Sequence, residues 1–112
     1  MRVLIISLMM ILSTAYLSLA VEGQDYSEAL KSYQMKNYTK AIETLDQVIS
    51  KNPTPSAYYL KGYALYKLQR NNEAQWNFKE AFFLDPEFNV DQFLKKVYEK
   101  DKSIKNKLRK NK

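Results

Sequence analysis

The sequence predicts an all-α protein, a short α-solenoid of two helix–turn–helix repeats followed by a capping helix. Three observations lead to this fold. The chain of 112 residues holds only two glycines and three prolines, which leaves little material for the tight turns of a β-fold. Alanine, leucine, lysine and glutamate fill long stretches, and these residues favour helix. The sequence also matches itself when Tyr26 is aligned with Tyr59, and self-similarity at such a period is typical of repeat architectures.

The first segment, residues 1–20, has the pattern of a secretory signal peptide. Arg2 is its only charged residue, an apolar run follows, and small residues stand at Ser18 and Ala20, the two positions that a signal peptidase reads. This pattern predicts export, to the periplasm or as a secreted protein, and a mature chain that starts near Val21.

Two other interpretations of this apolar run stay open. Residues 3–21 are apolar or small, and about 20 such residues can span a bilayer, so an uncleaved membrane anchor is the main alternative. A buried core helix is less favoured, because the run is apolar on all of its faces and lies at the very N-terminus.

The internal repeat divides the middle of the chain into units at residues 21–54 and 55–88. Apolar residues recur at steps of three and four, which puts them on one face of a helix. A proline closes each unit and forces the preceding residue out of helical geometry. The predicted helices are 24–35 and 38–51 in the first unit, and 55–69 and 71–84 in the second. The clearest matches between units are Tyr26 with Tyr59, Ala41 with Ala74, and Pro53 with Pro86.

This pattern resembles the tetratricopeptide repeat (TPR). That family has a bulky and then a small residue in its first helix, helix A, and an alanine, a bulky residue and a closing proline in its second, helix B. The second unit carries the pattern at Tyr58, Gly62, Ala74, Phe78, Ala81 and Pro86. The first unit fits it at Ala29, Ala41, Leu45 and Pro53. Two departures are Lys61, at a position where the family usually has leucine, and a period slightly shorter than the family's usual one.

The resemblance implies a concave groove, lined by the A helices, that holds a peptide or a partner helix. Tyrosine suits such a surface, because it offers a large apolar area and a hydroxyl group. The same residues could equally serve only to pack one repeat against the next, so both interpretations stay open here. The groove positions implied by the family are Tyr26, Leu30, Tyr33, Gln34, Tyr59, Tyr63, Tyr66 and Lys67.

Residues 89–112 are predicted to form a capping helix, at about 90–108, with a basic tail. Its apolar face holds Phe93, Leu94, Val97 and Tyr98, and a solenoid needs such a cap because a terminal repeat cannot bury its own face. Residues 95–112 hold nine basic and two acidic side chains. The tail is interpreted first as a solvated helix end and second as a surface for anionic membranes. Nucleic acid is not expected as a partner, because the tail has few aromatic or arginine residues.

The composition excludes most enzyme classes. The chain has neither histidine nor cysteine, which removes histidine acid–base catalysis, thiolate nucleophiles and the usual zinc ligands. No cofactor or metal is predicted. The favoured function is therefore an exported adaptor or scaffold without enzymatic activity that binds a protein or peptide. The alternative is a membrane-associated structural subunit of an envelope complex. A solenoid of two repeats has little core, so homo-oligomerisation is also considered.

Overall fold

The structure, a computed structural model, describes residues 26–110, and all the regular secondary structure in this range is helical. The all-α prediction is confirmed. The predicted leader at residues 1–20 lies outside the described range, as do residues 111 and 112, and none of the described helices could span a membrane. The helices are α1 at 26–34, α2 at Tyr38–Lys51, α3 at Pro55–Lys67, α4 at Asn71–Leu84 and α5 at Val90–Lys110.

Helices α2 and α4 begin and end at the predicted residues, and proline fixes their C-termini. Asn52 and Asp85, which precede Pro53 and Pro86, have extended backbone with φ near −150°. Proline disfavours helical geometry at the residue before it. At the other end of the turn, Thr54 caps α3 by accepting a hydrogen bond from the amide of Ala57 at 3.2 Å, which satisfies a donor that has no partner within the helix.

Helix α3 ends earlier than predicted, at Lys67, because Gln69 takes a left-handed conformation with φ of 62°. Lys36, at the equivalent position of the first repeat, does the same after α1, with φ of 64°. In both turns the next amide donates to the carbonyl five residues earlier, from Asn37 to Ser32 at 2.8 Å and from Arg70 to Leu65 at 2.9 Å. Both turns are Schellman caps. The similarity between the two repeats therefore includes the backbone conformation of these turns.

Small side chains allow α3 and α4 to cross closely. Gly62 on α3 faces Phe78 on α4, and a Cβ atom at Gly62 would collide with the Phe78 ring. Ala74 is 1% exposed at the same crossing. The first repeat places the buried residues Ala29 and Ala41 in the same register. The small residues of the repeat pattern therefore lie where the paired helices approach closely.

The departure at Lys61 is compensated within the fold. Its ammonium group pairs with the Asp46 carboxylate of α2, so a charged side chain at this position contacts the neighbouring repeat. Its neighbour Leu60 is 1% exposed and belongs with Leu45 and Leu65 to the largest fully buried side chains. Leu60 therefore has the core role that the family pattern usually gives to the following residue.

Replacing Ala74 by leucine should lower the free energy of unfolding by about 1–3 kcal/mol, because it overpacks the crossing of α3 and α4. Gln75→Leu is the matched control, since Gln75 is exposed on the same helix. Thermal and urea denaturation measure the difference. A melt of Ala74→Leu equal to that of the control would contradict the packing at this crossing.

Replacing Gln69 by glycine should raise the free energy of unfolding by about 0.5–1 kcal/mol. A left-handed residue with a Cβ atom costs about 1–2 kcal/mol, and the larger unfolded-state entropy of glycine offsets part of this gain. Gln69→Ala is the control, because alanine keeps the Cβ atom and should give no gain. Urea denaturation of the two variants beside the wild type tests the left-handed turn.

Candidate functional site

The predicted groove residues lie on α1 and α3, but their exposure differs widely. Tyr33 and Tyr59 are buried, at 5% and 8% exposed. Tyr26, Leu30 and Tyr63 are half-buried, whereas Tyr66 and Lys67 are exposed. Only part of the predicted set is therefore accessible to a partner in this conformation.

The reason is that α5 lies over the face formed by α1 and α3. Phe93 is 8% exposed and Val97 is 3% exposed. The Phe93 ring lies 6.2 Å from the Tyr59 ring of α3. On α1, the Gln34 side-chain amide donates a hydrogen bond to the Val97 carbonyl at 3.1 Å. The capping helix thus contacts helix A of both repeats.

An aromatic cluster joins this face to the core of the second repeat. The Tyr59 ring stacks on Phe88 at 5.4 Å and lies 6.2 Å from Phe78. The Tyr63 ring lies 4.9 Å from Phe78. Tyr59 is therefore a packing residue at the centre of the cluster, and Tyr63 combines packing with partial exposure.

A cavity of 340 Å³ flanks α5 on the side of Tyr26 and Leu30. It is lined mainly by apolar groups, with Phe88 and Phe93 opposite α1. Burial raises the pKa of Tyr26, and the Ser56 side chain opposes this rise. This cavity offers an apolar floor to a ligand that reaches the edge of α5.

A second cavity of 340 Å³ lies on the other side of α5 and has a different character. Lys36, Lys67 and Lys105 line it together with Tyr33 and Tyr98. Among its described lining residues there is no carboxylate. The two cavities together leave one apolar and one basic opening beside α5.

The Tyr33 side chain of α1, on the face that α5 covers, has an unfavourable environment. Its hydroxyl is buried, and within the described part of the chain it makes no hydrogen bond of good geometry, although the Tyr98 side chain lies close to it. Burial raises the pKa of Tyr33 above its ordinary value, and Tyr98 lies near enough to raise this pKa further. A buried hydroxyl without a partner costs about 1–3 kcal/mol.

Helix α4 has an exposed aromatic surface that was not predicted from the sequence. Trp76, Phe82 and Phe83 are 56%, 54% and 76% exposed, and a cavity of 350 Å³ opens between the Phe78 ring and the last two of these residues. The signal was present as two consecutive phenylalanines before Pro86. A helix buries only one of its sides, and on α4 this side holds Ala74 and Ala81, so Phe82 and Phe83 both remain exposed.

The basic tail extends α5 into solvent. The side chains described from residue 102 onward are all exposed, and five of them are basic: Lys102, Lys105, Lys107, Arg109 and Lys110. Within residues 26–110, no group of acidic side chains could hold a metal ion.

Comparison with known families gives a match over residues 18–81 to the family described as "Anaphase-promoting complex, cyclosome, subunit 3", which has TPR-like repeats. The match includes α1, α2, α3 and most of α4, and thus both helix–turn–helix units. Neither the curated proteins nor the solved structures give a significant match.

Replacing Tyr33 by phenylalanine should stabilise the protein by about 1 kcal/mol, because it removes a buried hydroxyl that has no partner. The gain should grow above pH 10. The raised pKa means that the unfolded chain loses the Tyr33 proton first, so wild-type stability falls as the pH rises beyond the ordinary tyrosine pKa of about 10.

Urea denaturation at pH 7 and pH 10.5 measures both effects. Tyr66→Phe is the control, since the Tyr66 side chain is 59% exposed. Destabilisation of Tyr33→Phe at pH 7 would show that the hydroxyl has a favourable partner.

Proposed function

Since the chain belongs to the family described as anaphase-promoting complex, cyclosome, subunit 3, whose repeats are of the tetratricopeptide type, we propose that it is an interaction module without enzymatic activity. It binds a protein or peptide on the face formed by α1 and α3, and it acts as an exported adaptor or scaffold. The family generally mediates protein interactions and is generally non-catalytic.

The observation that carries this proposal is the accessible aromatic surface around α5. Tyr66 is 59% exposed, Tyr63 is half-buried, and the cavity at Tyr26 and Leu30 has an apolar floor. Tyrosine is enriched at protein interfaces, where its ring gives apolar area and its hydroxyl gives hydrogen bonds. A ligand with apolar or aromatic side chains fits this surface.

Export is part of the proposal through the sequence of the leader alone. A cleaved leader releases the module into the periplasm or the medium, whereas an uncleaved leader anchors it through residues 3–21. The intact mass of the protein from its native host distinguishes the two, because cleavage near Val21 removes residues 1–20.

The second candidate function is a membrane-associated structural subunit. It is supported by the exposed basic side chains on α5 from Lys102 to Lys110, since lysine clusters bind anionic headgroups. Recovery of the chain in a salt-extractable membrane fraction, without a cross-linked protein, would favour it over the adaptor. Homo-oligomerisation would appear in the same experiment as a cross-link between copies.

Replacing Tyr66 by alanine should reduce capture of the partner, as measured by cross-linking in native cells. An interface anchor contributes more than about 1 kcal/mol, which corresponds to at least a fivefold weaker affinity. The melting temperature should not change, because an exposed side chain leaves no cavity when it is shortened.

The matched control is Phe83→Ala, which removes another exposed aromatic side chain, 76% exposed, from α4. Tyr59→Ala is unsuitable for this test, since Tyr59 is buried and its loss would lower stability. Full capture by Tyr66→Ala together with loss of capture by Phe83→Ala would move the binding surface to α4 and overturn the proposal.

A further inference from the structure

We propose that α5 is a displaceable internal ligand of the face formed by α1 and α3. The partner is then an amphipathic helix that presents an aromatic and a β-branched side chain four residues apart. This inference rests on the proposed function, and it names the kind of partner and the regulation of the same face.

Helix α5 itself shows how a helix binds to the face formed by α1 and α3. Phe93 and Val97 are four residues apart, which places them on one side of the helix. Both are buried, with Phe93 near the Tyr59 ring at 6.2 Å and the Val97 carbonyl bonded to Gln34. The face therefore accepts a helix through an aromatic anchor over α3 and a β-branched anchor beside α1.

Helix α5 packs against α1 and α3 along only part of its length. Val90 and Leu94 add half-buried apolar surface near Phe93 and Val97. Beyond them, every side chain described from residue 102 onward is exposed. A helix of 21 residues thus has its buried apolar side chains, Phe93 and Val97, in its first two turns, and local opening requires few buried contacts to be broken.

The packing of α5 on α1 includes one unfavourable contact. The Tyr33 hydroxyl beneath this helix is buried, and the Tyr98 side chain of α5, which lies close to it, does not satisfy it with a hydrogen bond of good geometry. Opening of α5 would give this hydroxyl access to water. The energy of the closed state is therefore raised at the contact that holds it.

Helix α5 therefore competes with an external helix for the face formed by α1 and α3. A tethered segment has an effective concentration in the millimolar range, so a weak internal helix can still reduce the fraction of open protein. The apparent Kd of an external helix then increases as the open fraction falls. Weakening α5 should therefore tighten external binding without a new contact.

The probe for this test is a fluorescein-labelled peptide of residues 88–110, which carries the anchors of α5 itself. The full chain is compared as wild type and as the double variant Phe93→Ala and Val97→Ala, by fluorescence anisotropy. The double variant should bind the peptide at least tenfold tighter than wild type does. A chain with Leu108→Ala is the matched control, since Leu108 is 63% exposed on α5, and it should bind like wild type.

A peptide that carries the same two substitutions should bind neither chain. Equal peptide affinity of wild type and the double variant, within threefold, overturns the proposal. Retained partner capture that depends on Tyr66, together with such equal affinity, would leave the proposed binding function intact and reject only the displacement.

The double variant could lose its fold, which circular dichroism would show. Hydrogen exchange of the wild-type chain then decides. Amides at 94–99 that exchange at least tenfold faster than those of α3 support a helix that opens by itself. Exchange at the same rate as α3 overturns the proposal, because α5 would then open only when the repeats unfold.

Discussion

The close crossing of α3 and α4 is the constraint on which the rest of the structure depends. Gly62 has no side chain, so the Phe78 ring can occupy the space that a Cβ atom would need. That position of Phe78 in turn puts its ring beside Tyr59 and Tyr63. The aromatic cluster of Tyr59, Tyr63 and Phe78 and the crossing of α3 and α4 are therefore one packing unit.

The two interpretations of the tyrosines are not exclusive, because the residues divide between them. Tyr59 is buried among Phe78, Phe88 and Phe93 and acts in packing. Tyr66 is exposed and is available to a partner. Tyr63 has properties of both. A face of this kind has a firm centre and an accessible edge, which suits the recognition of a helix or peptide with apolar anchors.

Much of the fold could be predicted from the sequence because its signals are local. The helical spacing of apolar residues, together with Pro53 and Pro86, predicted both ends of α2 and α4 at the correct residues. The small residues Gly62 and Ala74 belong to the repeat pattern and lie where α3 and α4 cross. The left-handed turns were not predicted, since Lys36 and Gln69 lack the glycine that usually marks such positions.

Only part of the position of α5 was predicted: a cap on the second repeat was expected, whereas its contact with α1 of the first repeat was not. Its pattern shows that Phe93 and Val97 share an apolar face, but a periodic pattern does not say which surface that face covers. Coverage depends on contacts far apart in the chain, such as Gln34 with Val97. For the same reason the sequence suggested an open groove, whereas the structure has its own helix there. The leader at residues 1–20 remains a prediction from sequence.

The matched turns at Lys36 and Gln69 have a consequence for how such a chain can change in length. Both use the same backbone bonds, at equivalent positions of the two repeats. Duplication of one such unit would keep each helix in phase with its neighbours, since the cap that ends the first helix of one unit equals the cap that ends the first helix of the next. An insertion of another length within a helix would rotate the following apolar face by about 100° for each extra residue. Growth in whole units is therefore the tolerated route, and the turn backbone sets the size of the step.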